Sequence, residues 1–364
     1  MSGPAPGELQ RSSRDAEKLR DGLRRSLAAH LPGTDHEVRS VRGTSATGMS
    51  SETLIFEATW TEGRVRRREG LVARVAPSAE DAPVFPSYDM PGQFATIETV
   101  ARLTEVPVPP PRWCDPGSEL IGSPFFVMGE VVGEVPPDVM PYNFGGNWLF
   151  DADPADQRRV QESTVEILAR LHNVERPGEH FPHLGGGSLR SHVSSRWDWY
   201  RFAARDVGRS ELVEKGFAWL ESHWPAHEST AVFCWGDARI GNVMYRNFEP
   251  AAVLDWEMAS IAPPETDLAW LSYLHRMFEE MAAQFGFPGM PGFLLQDDVA
   301  ATYERLSGRT PRDLGWYTVY AAVQLGIVYL RTGYRQVRFG ERQAPASADE
   351  LLLNGAGLAE LIGS

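Results

Sequence analysis

Cysteine is scarce in this sequence, and long apolar runs are missing. Cys114 and Cys234 are its two cysteines, too few for a disulfide framework, and they favour a reducing compartment such as the cytoplasm. No apolar segment approaches the roughly 20 residues that span a bilayer, and the first residues contain no apolar stretch of the kind found in a secretory signal. We therefore expect a cytoplasmic protein with no membrane partner.

Positive charge is also in deficit. Asp and Glu number 49 against 35 Lys and Arg, which gives a formal net charge of −14. Because nucleic-acid backbones require a basic surface, this balance argues against nucleic acid as the main partner. It would suit a cationic small molecule, although many soluble proteins are acidic for solubility alone. With 42% hydrophobic and 23% charged residues, the 364-residue chain has an ordinary globular composition and enough length for two lobes.

Leucine spacing predicts the first helix. Leu19, Leu23, Leu27 and Leu31 recur every four residues in a charged background, and the helix should end near Pro32. Such a stripe suits either a contact within the chain or a dimer, so a monomer and a homodimer both remain open.

The predicted elements then change in character along the chain. Short β-rich segments, with one helix at 94–103, are predicted at 37–41, 53–61, 70–75, 111–114 and 124–128. After a connector at 129–133, helices are predicted around 160–171 and at 197–207, 211–223, 268–285, 296–306 and 314–334. This order predicts an α+β, two-lobed architecture. Its divisions are an extension (1–35), an N-terminal lobe (36–129) and a helical C-terminal lobe (130–364).

The most informative motif lies at residues 235–257. Asn242 follows Asp237 by five residues, and Asp255 comes thirteen residues later at the end of an aliphatic run. Phosphoryl transfer from ATP requires one carboxylate that takes the proton of the acceptor hydroxyl, plus an amide and a second carboxylate that hold Mg²⁺. A capping Asp and a turn-forming Asn are the structural alternative. The poorly hydrated carboxylate of Asp255, which needs a cation partner, favours catalysis.

Neighbouring residues leave more alternatives open. Arg239 either neutralises charge on the transferring phosphoryl group or pairs with an acid such as Asp267. Glu257 either supports the metal or acceptor site or is a solvated neighbour. Asp267 is predicted to be a helix N-cap that also braces the loop. Cys234 is interpreted as a small buried hydrophobic residue.

A turn with phosphate-binding character lies between two predicted strands. Gly48, Ser50 and Ser51 offer backbone amides and hydroxyl groups that suit phosphate oxygens. No Gly-Lys-Ser/Thr follows, so the turn is not a Walker A sequence. A plain hairpin turn is the alternative.

Together these motifs resemble the aminoglycoside phosphotransferase family, a branch of the protein-kinase-like fold. The similarity covers about residues 41–271 and includes TGMSSETLIFEA, VPVPPPRW, LARLH, GDARIGN and VLDWE. It looks closest to the branch related to the kinase-like domain fused to acyl-CoA dehydrogenases in animals. The resemblance implies a bilobal fold, a site for Mg²⁺ and ATP (or GTP) between the lobes, and transfer to a hydroxyl of an aminoglycoside-like or other small molecule. The family name suggests antibiotic resistance.

The resemblance also implies roles for single residues. Arg74 stands where kinases place a phosphate-pairing lysine; the alternative is a solvated Arg beside Glu69 or Asp81. Glu98, the only acid within the next predicted helix, is the candidate partner of Arg74. Trp235 replaces the histidine that usually opens the catalytic loop, and we expect it to pack in the same place.

Two further sets of residues are predicted, one for the hinge and one for the acceptor site. Main-chain groups of Met128, Glu130 and Val132 would meet the adenine edge, unless the segment is a simple edge strand. The helical region should build the acceptor site, and the candidates there are Trp199, Tyr200, Glu257 and Arg331. Aromatic stripes at helical spacing are also typical of a core. Arginines in this region would suit an anionic acceptor better than a polycationic one.

Two other functions compete with a kinase. A catalytically silent nucleotide-binding regulator would explain Trp235 and the unclear carboxylate partner of Arg74. A metal-dependent hydrolase would use Asp237, Asp255 and Glu257, but it needs His-rich spacing or more clustered acids than the sequence contains.

Overall fold

A computed structural model describes residues 16–43 and 51–363. The chain divides into two units. The first consists of Met1–Glu98 and Pro109–Val131, and the second of Thr99–Val108 and Val132–Ser364. Strands dominate the first unit and helices the second, so the predicted α+β class is confirmed.

The first unit is built on an antiparallel sheet with the strand order β1-β2-β3-β5-β4. The strands are β1 (Thr34–Gly43), β2 (Glu52–Glu62), β3 (Val65–Val75), β4 (Pro111–Asp115) and β5 (Phe125–Gly129). Gly63 turns the β2–β3 hairpin with a φ of 63°, which glycine adopts without strain. β3 begins well before the predicted residue 70, because Arg67 and Arg68 form ion pairs across the hairpin with Glu62 and Glu57.

Helix α1 (Ala16–His30) covers one face of this sheet. Leu19, Leu23 and Leu27 are 7%, 1% and 0% exposed, and they belong to the same buried cluster as Phe56 and Trp60 of β2. The helix predicted from the leucine spacing is confirmed. Because Leu19, Leu23 and Leu27 are buried within their own unit, the structure supports a contact within the chain for this stripe, and the choice between monomer and homodimer stays a prediction.

The second unit contains most of the helices. Helix α2 (Met90–Leu103) has residues in both units. The helices that follow it are α3 (Pro154–His172), α4 (Pro177–His180), α5 (Leu189–Val207), α6 (Glu211–Ser222), α7 (Glu265–Phe285), α8 (Gln296–Ser307), α9 (Leu314–Arg338) and α10 (Gly355–Ile362). Two small sheets pair β6 (Val232–Cys234) with β9 (Ser260–Ala262) and β7 (Val243–Arg246) with β8 (Glu249–Val253). Within the described ranges, no helix has both the length and the apolar character needed to cross a membrane.

Helix α7 forms the buried centre of the second unit. It packs against α8 and α9, and every residue from 265 to 275 is buried. A helix that is buried on all sides must satisfy its polar side chains internally. Asp267 and His275 are such residues, and each bonds to the main chain of a neighbouring loop.

Candidate functional site

The predicted catalytic loop, residues 235–242, connects β6 to β7. The side chain of Asp237 in this loop is 16% exposed. Its Oδ1 accepts a hydrogen bond from Nε1 of Trp270 at 2.8 Å, and its Oδ2 accepts one from Nδ2 of Asn242 at 2.6 Å. Nε of Arg239 donates to the same Oδ2 at 3.2 Å. The carboxylate is fixed in orientation yet partly accessible, as a general base must be.

Asn242 lies next to Asp237, and its amide has a defined orientation. Nδ2 donates both to the main-chain oxygen of Asp237, at 3.1 Å, and to the carboxylate. Because both partners are oxygens, the nitrogen must face them, and Oδ1 keeps its capacity to accept. An amide oxygen is a suitable ligand for Mg²⁺. The structure therefore brings these two predicted residues into direct contact.

The loop that carries Asp255 is tied to the catalytic loop by two hydrogen bonds. The N–H of Leu254 donates to the carbonyl of Asn242 at 2.8 Å, and the carbonyl of Leu254 accepts from Nε1 of Trp235 at 2.9 Å. Asp255 has a φ of 55°, a left-handed conformation that is unusual outside glycine. Its charge acts on Arg239. The third predicted residue thus lies beside the other two.

Trp235 does more than fill space. It is fully buried, and its ring centroid lies 6.0 Å from that of Trp256. Its indole N–H also holds the carbonyl that precedes Asp255. The expectation of packing was incomplete, because the residue that replaces histidine also supplies a ring N–H donor to the loop of Asp255.

Asp267 secures the first residues of the catalytic loop. It is fully buried, and its oxygens accept the main-chain N–H groups of Trp235 and Gly236, each at 2.8 Å. The predicted bracing role agrees with these bonds. The predicted N-cap role is wrong, because Pro264 is the N-cap of α7 and Asp267 lies inside its first turn.

A buried network extends from Asp267. Nε2 of His172 lies 3.1 Å from Oδ2 of Asp267, and Nδ1 of His172 lies 2.9 Å from the hydroxyl of Tyr303. The carboxylate can only accept, so Nε2 carries a proton and donates to it. Cys234 lies close to both acidic and imidazole groups, but it donates to the carbonyl of Ala262, and burial raises the pKa of its thiol well above the ordinary value. We interpret this cluster as a hydrogen-bond network and not as a metal site.

Arg239 is paired within the site. Its Nη1 contacts Asp138, and its Nε contacts Asp237, so the expected pairing with an acid is seen, although the acids are not Asp267. The contact of Arg239 with a transferring phosphoryl group stays a prediction. Burial alone would lower the pKa of Arg239, but the charges of Asp138 and Asp237 raise it well above the ordinary value. Gly241 leaves room for the pair, since a Cβ there would come within 2.5 Å of Oδ1 of Asp138. Asp138 was not predicted from the sequence as a partner of Arg239.

Glu257 lies on the same loop as Asp255. It is half-buried, and its Oε2 is shielded from solvent. This burial argues against the interpretation as a solvated neighbour. Its contact with a metal or an acceptor stays a prediction.

The phosphate-binding turn lies only partly within the described residues. Gly48 and Ser50 lie outside them. Ser51 is 3% exposed, and its hydroxyl has no hydrogen-bond partner among the residues described. Its contact with a phosphate stays a prediction.

Arg74 is half-buried on β3 in the first unit. Its Nη1 donates to the hydroxyl of Thr53 at 2.8 Å. Glu69 and Asp81, the alternative partners, bond to other residues. Glu98 is exposed on α2. The phosphate role of Arg74 and its pairing with Glu98 stay predictions.

The predicted hinge residues continue the sheet further than expected. Met128 is buried and pairs with Val72 of β3. The N–H of Glu130 donates to the carbonyl of Gly70 at 2.9 Å, so this group is engaged in the sheet. Glu130 and Gly70 line a cavity of about 460 Å³ in the first unit. Val132 is 76% exposed.

Three of the predicted acceptor residues are core side chains. Trp199, Tyr200 and Arg331 are 3%, 2% and 1% exposed. The hydroxyl of Tyr200 donates to Glu214 at 2.7 Å, and Arg331 forms an ion pair with Asp206. We therefore correct this assignment, because side chains that are buried and already bonded do not present a surface to an acceptor.

Comparison with known sequences supports the family. Residues 55–294 match the model of the phosphotransferase enzyme family. Human acyl-CoA dehydrogenase family member 11 is 27% identical over 209 residues, which cover 56% of this chain and 25% of that protein. Probable acyl-CoA dehydrogenase IBR3 of Arabidopsis thaliana is 23% identical over 255 residues, 65% of this chain and 30% of that protein. The chain thus matches well under half the length of these relatives.

Solved structures share the fold. A putative aminoglycoside phosphotransferase from Ralstonia eutropha has a TM-score of 0.66 at 20% identity, covering 96% of this chain and 97% of that one. A macrolide 2'-phosphotransferase from Brachybacterium faecium has a TM-score of 0.52 at 20% identity, covering 92% and 97%. Aminoglycoside phosphotransferase APH(4)-Ia, solved with AMP-PNP and hygromycin B, has a TM-score of 0.51 at 16% identity, covering 92% and 99%. The expected kinase-like fold is confirmed, and the chain belongs to the phosphotransferase enzyme family.

Proposed function

We propose that this protein transfers the γ-phosphoryl group of ATP to a hydroxyl group of a small molecule. The observation that carries the proposal is the contact between Asp237 and Asn242, made beside the loop of Asp255. Phosphoryl transfer requires an oriented carboxylate next to an amide oxygen and a second carboxylate. A capping or turn motif requires neither the second loop nor the bonds that tie it in place.

The proposed reaction has one transfer step. The acceptor oxygen attacks the γ-phosphorus while its proton passes to Asp237. A new oxygen–phosphorus bond forms as the bond between the γ-phosphorus and the β–γ bridging oxygen breaks, and ADP leaves with the electron pair of that bond. Asp237 then releases the proton to solvent. Arg239 balances the negative charge that Asp237 and Asp138 place around the loop.

Asn242 and Asp255 fit a divalent cation. Nδ2 of Asn242 is held by Asp237, which leaves its Oδ1 as a ligand, and Asp255 adds a carboxylate from the neighbouring loop. Hard oxygen ligands of this kind suit Mg²⁺. When bound there, Mg²⁺ would neutralise charge on the phosphates of ATP.

The proposed acceptor class is a hydroxylated small molecule, aminoglycoside-like or another metabolite. Two arginines of α5 and α9 do not decide its charge. Arg196 donates to Gln324 and Arg331 pairs with Asp206, so both are engaged inside the second unit. A silent regulator is less well supported than an enzyme, because Trp235 contributes a hydrogen bond that supports the loop of Asp255.

The first test is thermal unfolding with and without Mg-ATP. At about 100 times its Kd, a ligand adds roughly 2.7 kcal/mol to stability, which raises the midpoint of a chain this size by a few degrees. We expect this shift in the wild type, its loss when EDTA replaces Mg²⁺, and its loss in Asp255→Ala. Asp151→Ala, which removes an exposed carboxylate, is the matched control and should keep the shift.

A second arm separates binding from transfer. Asp237→Asn should keep the Mg-ATP shift and lose ADP formation by at least about 100-fold, because the proton acceptor is gone. GTP is tested in parallel as the alternative donor. A wild type that shows no Mg²⁺-dependent shift with either nucleotide would refute the proposal.

A further inference from the structure

The two carboxylate oxygens of Asp237 have different partners. Oδ2 takes two donors from the catalytic loop, Nδ2 of Asn242 at 2.6 Å and Nε of Arg239 at 3.2 Å. Among the described residues, Oδ1 takes one, the indole N–H of Trp270 at 2.8 Å. Each oxygen of an ionised carboxylate accepts about two hydrogen bonds. Oδ2 is therefore fully occupied, and Oδ1 is the oxygen with capacity left for an incoming hydroxyl group.

Trp270, which donates to Oδ1 of Asp237, has a buried side chain on a helix that also contacts the catalytic loop. It belongs to α7 and is 2% exposed. Asp267, three residues earlier on the same face of α7, accepts the main-chain N–H groups of Trp235 and Gly236. Helix α7 thus contacts the catalytic loop through two residues. Asp267 accepts from its main chain, and Trp270 donates to the carboxylate of Asp237. Removing the indole N–H alone would free Oδ1 without releasing the loop.

We infer that Trp270 is a positioning residue for phosphoryl transfer, which turns Asp237 so that Oδ1 offers its remaining lone pair to the acceptor hydroxyl. The inference rests on the proposed function, since only a reaction that passes a proton to Asp237 gives this lone pair a role. Asn242 keeps its own bonds to Asp237 when the indole is lost. The expected consequence is slower turnover with unchanged nucleotide binding.

The contact itself is testable without nucleotide or acceptor. Protein labelled with ¹⁵N-tryptophan gives an indole signal for each of its 11 tryptophans, and the signal lost in Trp270→Phe belongs to Trp270. In Asp237→Asn that proton signal should move upfield, because an amide oxygen is a weaker acceptor than a carboxylate. Trp316, whose indole donates to the carbonyl of Leu220, provides a signal that should stay in place. If Trp270→Phe fails to fold, Trp270→His supplies the assignment.

The kinetic test uses Mg-ATP with water as the acceptor and measures ADP release. Trp270→Phe should lower kcat by about 10- to 100-fold, the range for losing a hydrogen bond to a charged group, while KM for ATP stays within about twofold. Trp270→His, whose ring retains an N–H, should recover part of the rate. Trp316→Phe removes a comparable indole bond elsewhere and should leave both constants unchanged.

The outcomes separate this inference from the proposed function. A Trp270 signal that does not respond to Asp237→Asn overturns the inference. So does an unchanged kcat in Trp270→Phe, or a loss of activity that lies mainly in KM, and in each case the proposed function stands. A wild type that shows no Mg²⁺-dependent thermal shift with either nucleotide, and that releases neither ADP from Mg-ATP nor GDP from Mg-GTP, overturns the proposed function and this inference with it.

Discussion

At the scale of single residues, the site depends on hydrogen bonds donated by tryptophan side chains. Trp270 bonds the carboxylate of Asp237, and Trp235 bonds the carbonyl of Leu254, immediately before Asp255. Both indoles are buried, so each bond lies where water competes little. Trp235, which stands where the family resemblance places a histidine, thus supplies a ring donor, and we expect it to be compatible with catalysis.

Trp235→Phe tests this expectation. The ring still fills the space, but the carbonyl of Leu254 loses its donor, so we expect the free energy of unfolding to fall by about 1–3 kcal/mol. The Mg-ATP-dependent thermal shift should also shrink, because the loop of Asp255 is no longer tied to residue 235. Trp316→Phe should cost similar stability and keep the shift. Equal shifts in both variants would show that the bond from Trp235 does not support the proposed nucleotide site.

The residues of the site differ in how far the sequence could reveal them. Asp237 and Asn242 lie within one loop, and their spacing, together with Asp255 downstream, predicted that both side chains face one cavity; the hydrogen bond between them is seen in the structure. Asp138 bonds Arg239 from 101 residues away, and Trp270 bonds Asp237 from 33 residues away. Nothing local marks these two partners, because an Asp in a loop and a Trp in a helix are common everywhere. Their roles follow only from the tertiary fold.

At the scale of elements, helix α1 shows that a simple pattern can predict an element, while the fold determines what the element packs against. Its leucine stripe meets the sheet, and the hydroxyl of Ser26 on the same helix accepts the indole N–H of Trp113 on β4 at 2.8 Å. His30 adds a bond to Asp115 at 2.9 Å. Buried leucines and these two hydrogen bonds together attach α1 to the sheet, so the helix is part of the first unit.

Leu23→Ala measures that contribution. Leu23 is 1% exposed, and truncating a leucine in a packed core costs about 2–5 kcal/mol. We expect a loss in this range, with faster hydrogen exchange in peptides of the first unit. Leu353→Ala makes the same change at a 61% exposed position and should cost less than about 0.5 kcal/mol. Similar losses in the two variants would contradict the assigned core.

Element ends were predicted less well than element types. α5 begins at Leu189, earlier than the predicted residue 197, because Ser188 accepts the N–H of Ser191 as a cap and Leu189 is buried. β3 extends back through a run of arginines that shows no alternating hydrophobicity. Ion pairs with the facing strand support that extension. Periodicity therefore located the apolar part of each element, while caps and cross-strand pairs determined its ends.

At the scale of the whole molecule, two buried histidines should make stability depend on pH. Burial lowers the pKa of His275 to about 4, although the charge of Glu279 and a bond to Met290 oppose the shift. Burial also lowers the pKa of His192 well below its ordinary value, and the charge of Arg196 acts in the same direction. Nη2 of Arg196 lies 3.2 Å from Nε2 of His192, which fits a neutral ring that accepts from the guanidinium.

We therefore expect the folded state to weaken as the pH falls below about 6.5. An unfolded histidine binds its proton near that value, so the unfolded state holds more protons than the folded state between about pH 4 and 6.5, and stability rises with pH across this window. His275 alone should account for a change on the order of 3 kcal/mol. The free energy of unfolding, measured with urea at intervals of pH, should rise less steeply with pH in His275→Gln and in His192→Gln than in the wild type. If the free energy of unfolding depends on pH equally in the wild type and the variants, these histidines gain their protons in the folded state as readily as in the unfolded chain.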